Sequence, residues 1–213
     1  MYIKYPKTYH LPWSENIHSD DKMMEPASLF KNFGEKRVIV MEKMDGENTT
    51  FYRDYIHARS VDGGNHFTRD WVKGLWSQIS HNIPEGWRVC GENLFAKHSI
   101  FYDDLSTYFM AFSIWNDKNV CLSWDDTKEW YDLIGVQSVP VLYDGIFDQK
   151  KIQALWNKDN WTNSEGYVIR VADEIPYSEF RYKVGKFVRK NHVQTVKHWM
   201  HGQRIEQNGL RKI

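Results

Sequence analysis

Short apolar and β-branched stretches recur along the chain and predict a fold in which strands outnumber helices. Such stretches are typical of strands when turn residues bound them. They lie at 38–43, 49–53, 56–60, 87–95, 108–115, 120–123, 167–171 and 182–188. Since the strands return to one another across short turns, we expect antiparallel pairing and an α+β fold.

Helical patterns are fewer. They lie at 71–79, 123–133, 148–156 and 192–201. In the first segment apolar residues recur at helical spacing, and Pro84 follows beyond its end. Ser123 and Asp126 resemble a capping box that opens the second helix, and Asp148 is placed to cap the third.

The chain has 213 residues, of which 41% are hydrophobic and 26% charged, which suits one packed domain and excludes general disorder. No run of about 18 apolar residues is present and the first residues lack a secretion signal, so we expect no membrane partner. Cys90 and Cys121 stand in apolar surroundings. We expect buried free thiols and a cytoplasmic location.

Charge is distributed unevenly although Lys plus Arg and Asp plus Glu both total 28. From Arg181 onward there are nine basic residues against Glu206 alone, and Trp199 lies among them. A basic end of this kind is the expected footprint of a polyanion partner, and residues beyond Arg189 are the candidates for binding it. The alternatives are an ordinary solvated basic face, and a helix whose Trp199 docks on the core.

Lys43 ends the apolar strand at 38–43 and is followed by Asp45 and Gly46 in a turn. A lysine at a strand end is often only a surface charge. If this one lies in a cleft, partly desolvated and near other cations, its amine is neutral at pH 7 and acts as a nucleophile. The Lys-x-Asp-Gly pattern is weak by itself.

Further polar and aromatic residues follow Lys43 at the ends of predicted strands or inside them. They are Arg59, Glu92, Phe112, Glu165 and the pair Lys186 and Lys190. Taken singly, the acids are typical of turns, the aromatic ring of a core and the arginine of an exposed strand. Their joint order along the chain favours a common site.

This ordered series, from about Val38 to Val193, resembles the motifs of the covalent nucleotidyltransferases, which include polynucleotide ligases and mRNA capping enzymes. Within that superfamily it is most similar to the RNA ligases, especially the phage type that seals RNA nicks. The resemblance implies an antiparallel-sheet nucleotidyltransferase domain, an ATP-grasp-like ligase adenylation fold. It also implies ATP as substrate and Mg²⁺ or Mn²⁺ as the metal.

The resemblance further implies the role of each residue. Lys43 would attack the α-phosphorus of ATP and hold AMP as a phosphoramide, with Glu92 and Glu165 acting on the metal through water and Lys186 on the phosphate. The residues that would hold the nucleotide are Glu42, Asn48, Arg59, Glu92, Phe112 and Lys190. Phe112 would stack on the adenine, which suits a flat ring.

Two positions depart from the family pattern. The last strand of the family carries two lysines two positions apart, whereas Val188 stands at one of those places here, so the match is open between Lys186 and Lys190. Asp45 stands where the phage RNA ligases have histidine and agrees with the wider superfamily.

The leading hypothesis is an ATP-dependent RNA ligase that activates an RNA 5′-phosphate and joins it to a 3′-hydroxyl. The alternatives are a GTP-dependent capping-type enzyme and a non-catalytic RNA-binding module. We expect a core at 1–193 and a short basic tail at 194–213. With no OB or helical domain predicted, RNA would be gripped by the tail, by the core surface or by a separate protein that supplies the substrate-binding domain.

Overall fold

The computed structural model describes residues 1–61, 64–157, 163–190 and 205–212. The strands of this part are β1 (Tyr9–His10), β2 (Arg37–Lys43), β3 (Glu47–Tyr52), β4 (Ile56–Ala58), β5 (Arg88–Asn93), β6 (Phe109–Trp115), β7 (Val120–Cys121), β8 (Gln137–Ser138), β9 (Val141–Ile146), β10 (Gly166–Val171), β11 (Ile175–Pro176) and β12 (Val184–Val188). The α-helices are α1 (Pro26–Phe33), α2 (Asp70–Ile79), α3 (Trp124–Ile134), α4 (Gln149–Ala154) and α5 (Phe180–Lys183).

The strands form two sheets. The first has the order β1-β12-β10-β2-β9, and the second has the order β11-β7-β6-β5-β3-β4 with β8 beside β6. The pairs β1–β12 and β6–β8 are parallel, and the other pairs between these strands are antiparallel. The prediction of an α+β fold with antiparallel sheets is therefore confirmed.

β2 is buried on both faces, which explains its unbroken apolar sequence. Ile39 and Met41 pack into one core, together with side chains of the second sheet and of α2 and α3. Val38 and Val40 point the other way, into a core that includes side chains of α1. Successive strand residues face opposite sides, so β2 divides the two cores, and its end lies at their junction.

The capping-box prediction agrees with the structure of α3. The Ser123 hydroxyl accepts a hydrogen bond from the backbone N–H of Asp126 at 3.2 Å. The helix ends at Ile134, and Gly135 after it has a left-handed φ of 88°, a conformation that glycine adopts without strain. Cys90 and Cys121 are buried free thiols, as predicted.

Other elements differ from the sequence predictions. The segment at 182–188 divides into the end of α5 and β12, and the strands β1, β8, β9 and β11 and the helix α1 were not predicted. The predicted helix at 192–201, with Trp199, lies outside the described residues. None of the described helices has the length and apolar character needed to cross a membrane.

Residues 205–212, here called the C-terminal latch, dock on the loop that follows β5. Asn208 is 2% exposed; its amide donates to the carbonyl of Leu94 at 2.8 Å and its oxygen accepts from the N–H of Tyr102 at 3.0 Å. Isolated bridges join Gln207 to Ala96 and Leu210 to Leu105. This end of the chain is thus part of the packed structure.

We expect Asn208→Ala to lower the free energy of unfolding by about 2–4 kcal/mol, because two buried backbone groups lose their partner. Arg211→Ala is the matched control: it removes an exposed ion pair with Asp104, which water screens, and should destabilise the protein much less. Urea unfolding of both variants measures the difference. Equal effects would contradict a structural role for Asn208.

Candidate active site

A cavity of about 860 Å³ is lined by residues of both sheets, at the junction of the two cores. It receives the end of β2, the turn into β3, the end of β5 and the middle of β6. The predicted site residues that line it are Glu42, Lys43, Asn48, Arg59, Glu92, Phe112, Glu165 and Lys186. Residues far apart in sequence are therefore brought to one cavity, while their roles in chemistry stay predictions.

Lys190 is placed differently from the other predicted residues. It follows the end of β12, is exposed and is not among the residues that line the cavity. Its backbone N–H donates to Glu15 Oε2 at 2.9 Å. Lys186, inside β12, faces the cavity, so the geometry favours Lys186 over Lys190 as the lysine of the last strand.

Lys43 forms an ion pair with Glu165. Its Nζ lies 2.5 Å from Glu165 Oε2, because the register of β2 and β10 sets Lys43 opposite Gly166. Burial disfavours the charged amine, but the carboxylates of Glu165 and Glu92 outweigh it and raise the pKa of Lys43. The prediction of a neutral Lys43 amine is therefore wrong for this arrangement, because the charges that act most strongly on its pKa come from carboxylates and not from cations.

Glu92, on β5, carries a strongly shifted carboxyl. Burial, together with the negative charges of Glu165 and Asp45, raises its pKa to about 8, although Lys43 acts in the opposite direction. Its Oε1 accepts a weak hydrogen bond from the N–H of Gly46 at 3.2 Å. Glu92 therefore holds its proton more tightly than an exposed glutamate does.

The Asp-Gly turn after Lys43 is held by hydrogen bonds with the loop that follows β5. Asp45 Oδ2 accepts from the N–H groups of Ser99 and Ile100, both at 2.8 Å, and its own N–H donates to the Tyr102 hydroxyl at 2.9 Å. A Cβ at Gly46 would lie 2.5 Å from the carbonyl oxygen of Asn93, so glycine permits the close approach to β5. Asp45 thus stabilises the turn, because its carboxylate and its backbone N–H are both engaged in hydrogen bonds within the protein.

The other wall of the cavity suits a flat ring with polar edges. Phe112 packs against both cores, and the ring of Tyr5 meets it edge-on at a centroid distance of 5.2 Å.

Two polar side chains, Glu42 and Asn48, also line this part of the cavity. Burial raises the pKa of Glu42, and a hydrogen bond with Ser164 acts in the opposite direction. Asn48 Oδ1 is buried and has no hydrogen-bond partner among the described residues. An orphaned acceptor of this kind is expected where a ligand donor binds.

The N-terminal segment is the part of the site that sequence reasoning missed. Residues 4–8 and the pair Asp20 and Asp21 line the cavity. Asp21 Oδ1 lies 3.5 Å from Lys186 Nζ. No local pattern marked this segment, because β1 is only two residues long and its partner β12 lies at the other end of the core.

Carboxylates are the candidate metal ligands. No cluster of three or more His, Cys, Asp or Glu side chains in the described part of the chain is arranged to hold a metal ion. Glu92 and Glu165 could hold a hard cation only with oxygens from water or from a bound phosphate. This is consistent with Mg²⁺, which keeps several waters when it binds proteins.

Comparison with known proteins gives a family. The model of the RNA ligase family matches residues 36–188. No curated protein sequence matched the chain.

Among solved structures, a variant of Naegleria gruberi RNA ligase with ATP and Mn matches at a TM-score of 0.57 and 16% identity, covering 90% of this chain and 59% of that chain. A second variant with ATP and Mn gives 0.52, 17%, 79% and 54%, and one with AMP and Mn gives 0.53, 16%, 79% and 54%. At this identity the likeness shows the fold alone. The chain spans little more than half the length of these relatives.

The raised pKa of Glu92 predicts a pH-dependent stability. The folded protein holds the proton more tightly than the unfolded chain, so this contribution to stability is fully present below pH 4.5 and is lost as the pH rises to about 8. Glu92→Gln removes this carboxyl. We expect the difference in unfolding free energy between wild type and Glu92→Gln to shift in favour of the variant between pH 5 and pH 8.5.

Urea unfolding at several pH values measures this difference. Glu85→Gln, at an exposed position, is the matched control and should follow the wild-type pH dependence. A Glu92→Gln variant whose stability follows the wild-type curve would show that burial does not shift this carboxyl.

Proposed function

The chain belongs to the RNA ligase family, and we propose that it is an ATP-dependent enzyme that joins an RNA 5′-phosphate to a 3′-hydroxyl through a lysyl-AMP intermediate. The observation that carries this proposal is Lys43, whose amine lies in the cavity with Glu165 2.5 Å away. A nucleophile and an adjacent proton acceptor are what a covalent transfer requires.

In the first step the Lys43 amine attacks the α-phosphorus of ATP. An N–P bond forms, the bond to the pyrophosphate oxygen breaks, and pyrophosphate leaves. Since the pKa of Lys43 is raised, its ammonium must first lose a proton. The carboxylate of Glu165 is placed to accept it, and Lys186 and Arg59 supply positive charge toward the phosphates.

In the second step the RNA 5′-phosphate attacks the same phosphorus, the N–P bond breaks, and AMP passes to the RNA as a phosphoanhydride. In the third step the 3′-hydroxyl attacks the RNA 5′-phosphorus and releases its proton to solvent; the phosphoanhydride bond breaks, AMP leaves, and a phosphodiester remains. The register that holds Lys43 against Glu165 also serves the second step, since the departing amine takes up a proton from its neighbours.

The nucleotide would lie with its base against Phe112 and its polar edge toward Glu42, and Asn48 Oδ1 offers a buried acceptor. The residues present fit a divalent ion, Mg²⁺ or Mn²⁺, held by Glu92 and Glu165 through water. When bound, the ion would offset phosphate charge. The Naegleria gruberi structures with ATP and Mn support this choice of nucleotide and metal by analogy of fold.

The RNA site is proposed for the basic residues between the core and the C-terminal latch. Lys197, Trp199 and Arg204 lie there, outside the described residues. The C-terminal latch itself is engaged with the core, so its groups are already partnered in part. A separate protein that supplies a substrate-binding domain stays compatible with this proposal.

Incubation with α-labelled ATP should place a covalent label on Lys43, and label from GTP would favour a capping-type enzyme. Lys43→Ala should abolish labelling without unfolding the protein. Lys43→Arg should fail as well, because a guanidinium stays protonated and cannot attack. Lys118→Ala, at an exposed turn, is the matched control. Absence of label with either nucleotide, or a peptide map that places AMP elsewhere, would contradict the proposal.

The proposed RNA site gives a second expectation. The double substitution Lys197→Ala and Arg204→Ala should leave Lys43 adenylylation unchanged and slow the transfer of AMP to a 5′-phosphorylated RNA. The defect should shrink at low salt, where the remaining phosphate contacts count for more. Substitution is preferred to truncation, because truncation would also remove the C-terminal latch. Equal loss of both steps, or no loss of transfer, would place the RNA elsewhere.

A further inference from the structure

The N-terminal segment lies outside the residues that match the family, yet it completes one wall of the cavity. β1 runs parallel to β12 at the edge of the first sheet, with His10 aligned to Lys186. The N–H of Leu11 donates to the Lys186 carbonyl at 2.8 Å. The segment is therefore tied by backbone hydrogen bonds to the strand that carries the lysine.

Asp21 is brought to Lys186 by a turn in the same segment. The Asp21 N–H donates to the carbonyl of His18 at 3.0 Å, and Asp21 Oδ2 accepts from the N–H of His18 at 3.1 Å. Oδ1 lies 3.5 Å from Lys186 Nζ, and the two side chains are 13% and 20% exposed. The pair is shielded from water, so its attraction is stronger than that of a surface pair.

His10 backs Asp21 from the buried side. Its Nε2 lies 3.2 Å from Asp21 Oδ2, away from the direction of a well-formed hydrogen bond. Its Nδ1 shares a hydrogen bond of 2.8 Å with the Ser14 hydroxyl, and that hydroxyl oxygen accepts from the N–H of Val188 at 3.0 Å. Burial and the charge of Lys186 lower the pKa of His10, against the effect of Asp21. A neutral imidazole limits where the Asp21 carboxylate can move. Because it carries no charge, it does not compete with Lys186 for that carboxylate.

From this juxtaposition we propose that Asp21 is a positioning residue that directs the Lys186 ammonium toward the phosphates of the nucleotide. This inference rests on the proposed function. A lysine side chain is flexible and its ammonium has three donors, so one contact with Asp21 restricts the stem and leaves two donors for phosphate oxygens. At 3.5 Å the contact is long for a charge-assisted hydrogen bond, so Asp21 does not prevent the Lys186 ammonium from also donating to phosphate oxygens.

Among the residues that the structure describes, four charged or titratable groups face Lys186. Asp21 and His10 come from the N-terminal segment, Lys43 from the end of β2 and Glu165 from the start of β10. Burial lowers the pKa of Lys186 and Lys43 lowers it further, whereas Asp21 and Glu165 oppose the change. Without the Asp21 charge that pKa falls further, so the ammonium is lost at a lower pH.

The test is the single-turnover rate of Lys43 adenylylation by ATP as a function of pH. Asp21→Asn should slow it by about tenfold, since a partly buried charged contact is lost, and should move the alkaline limb of the profile to lower pH. Asp21→Glu keeps the charge and should keep the alkaline limb at its wild-type position with an intermediate rate. Glu25→Gln removes an exposed carboxylate from the same segment and is the matched control.

A double-mutant comparison separates positioning from a general loss of structure. If Asp21 acts through Lys186, Asp21→Asn combined with Lys186→Ala should be no slower than Lys186→Ala alone. Thermal unfolding checks that each variant is folded. Should Asp21→Asn not fold, the Glu variant decides: a wild-type rate with the carboxylate displaced by one methylene contradicts positioning.

The outcomes separate the two proposals. A wild-type protein that takes no label contradicts the proposed function, and this inference with it. A labelled wild type together with a folded Asp21→Asn variant of unchanged rate and unchanged alkaline limb, or additive losses in the double mutant, overturns the role of Asp21 alone.

Discussion

The ion pair of Lys43 and Glu165, at the junction of the two cores, is the interaction on which the site depends. Removing two charges from water costs several kcal/mol per ion, and the cost is offset only when the partners are held close with good geometry. Backbone register provides that geometry here. β2 ends at Lys43, β10 starts after Glu165, and antiparallel pairing sets Lys43 opposite Gly166. The glycine is required, because at its φ of 153° a Cβ would collide with the carbonyl oxygen of Phe187.

Several ionisable groups surround this ion pair, so a change in the charge of one group shifts the pKa of the others. The carboxylates raise the pKa of Lys43, and burial raises the pKa of Glu92 to about 8. A bound polyphosphate would add negative charge and a divalent ion positive charge to the same cavity. The protonation of Lys43 and Glu92 is therefore coupled to what the cavity holds, and perturbed pKa values of this kind cluster at functional sites.

Both ends of the chain support this site from outside the central strands. The C-terminal latch holds the loop that follows β5, and Tyr102 in that loop contacts both Asn208 and Asp45. The N-terminal segment holds β12, which carries Lys186. Precise placement of reactive groups depends on such surrounding contacts, because a displacement of about 1 Å is enough to slow chemistry severely.

Elements that leave a local pattern could be predicted from the residues alone. The apolar run of β2 reports burial on both faces, the capping box reports the start of α3, and the ordered motif from Lys43 to Lys186 reports residues that share one cavity. What depends on long-range pairing is visible only in the folded protein: the carboxylates that raise the pKa of Lys43, the position of Lys186 at the cavity, and the contacts of both chain ends with the core. β1 has two residues, and Ser14 and Val188 are 174 positions apart. A contact of that kind leaves no periodic signal, because its partner is selected by packing and not by neighbouring residues.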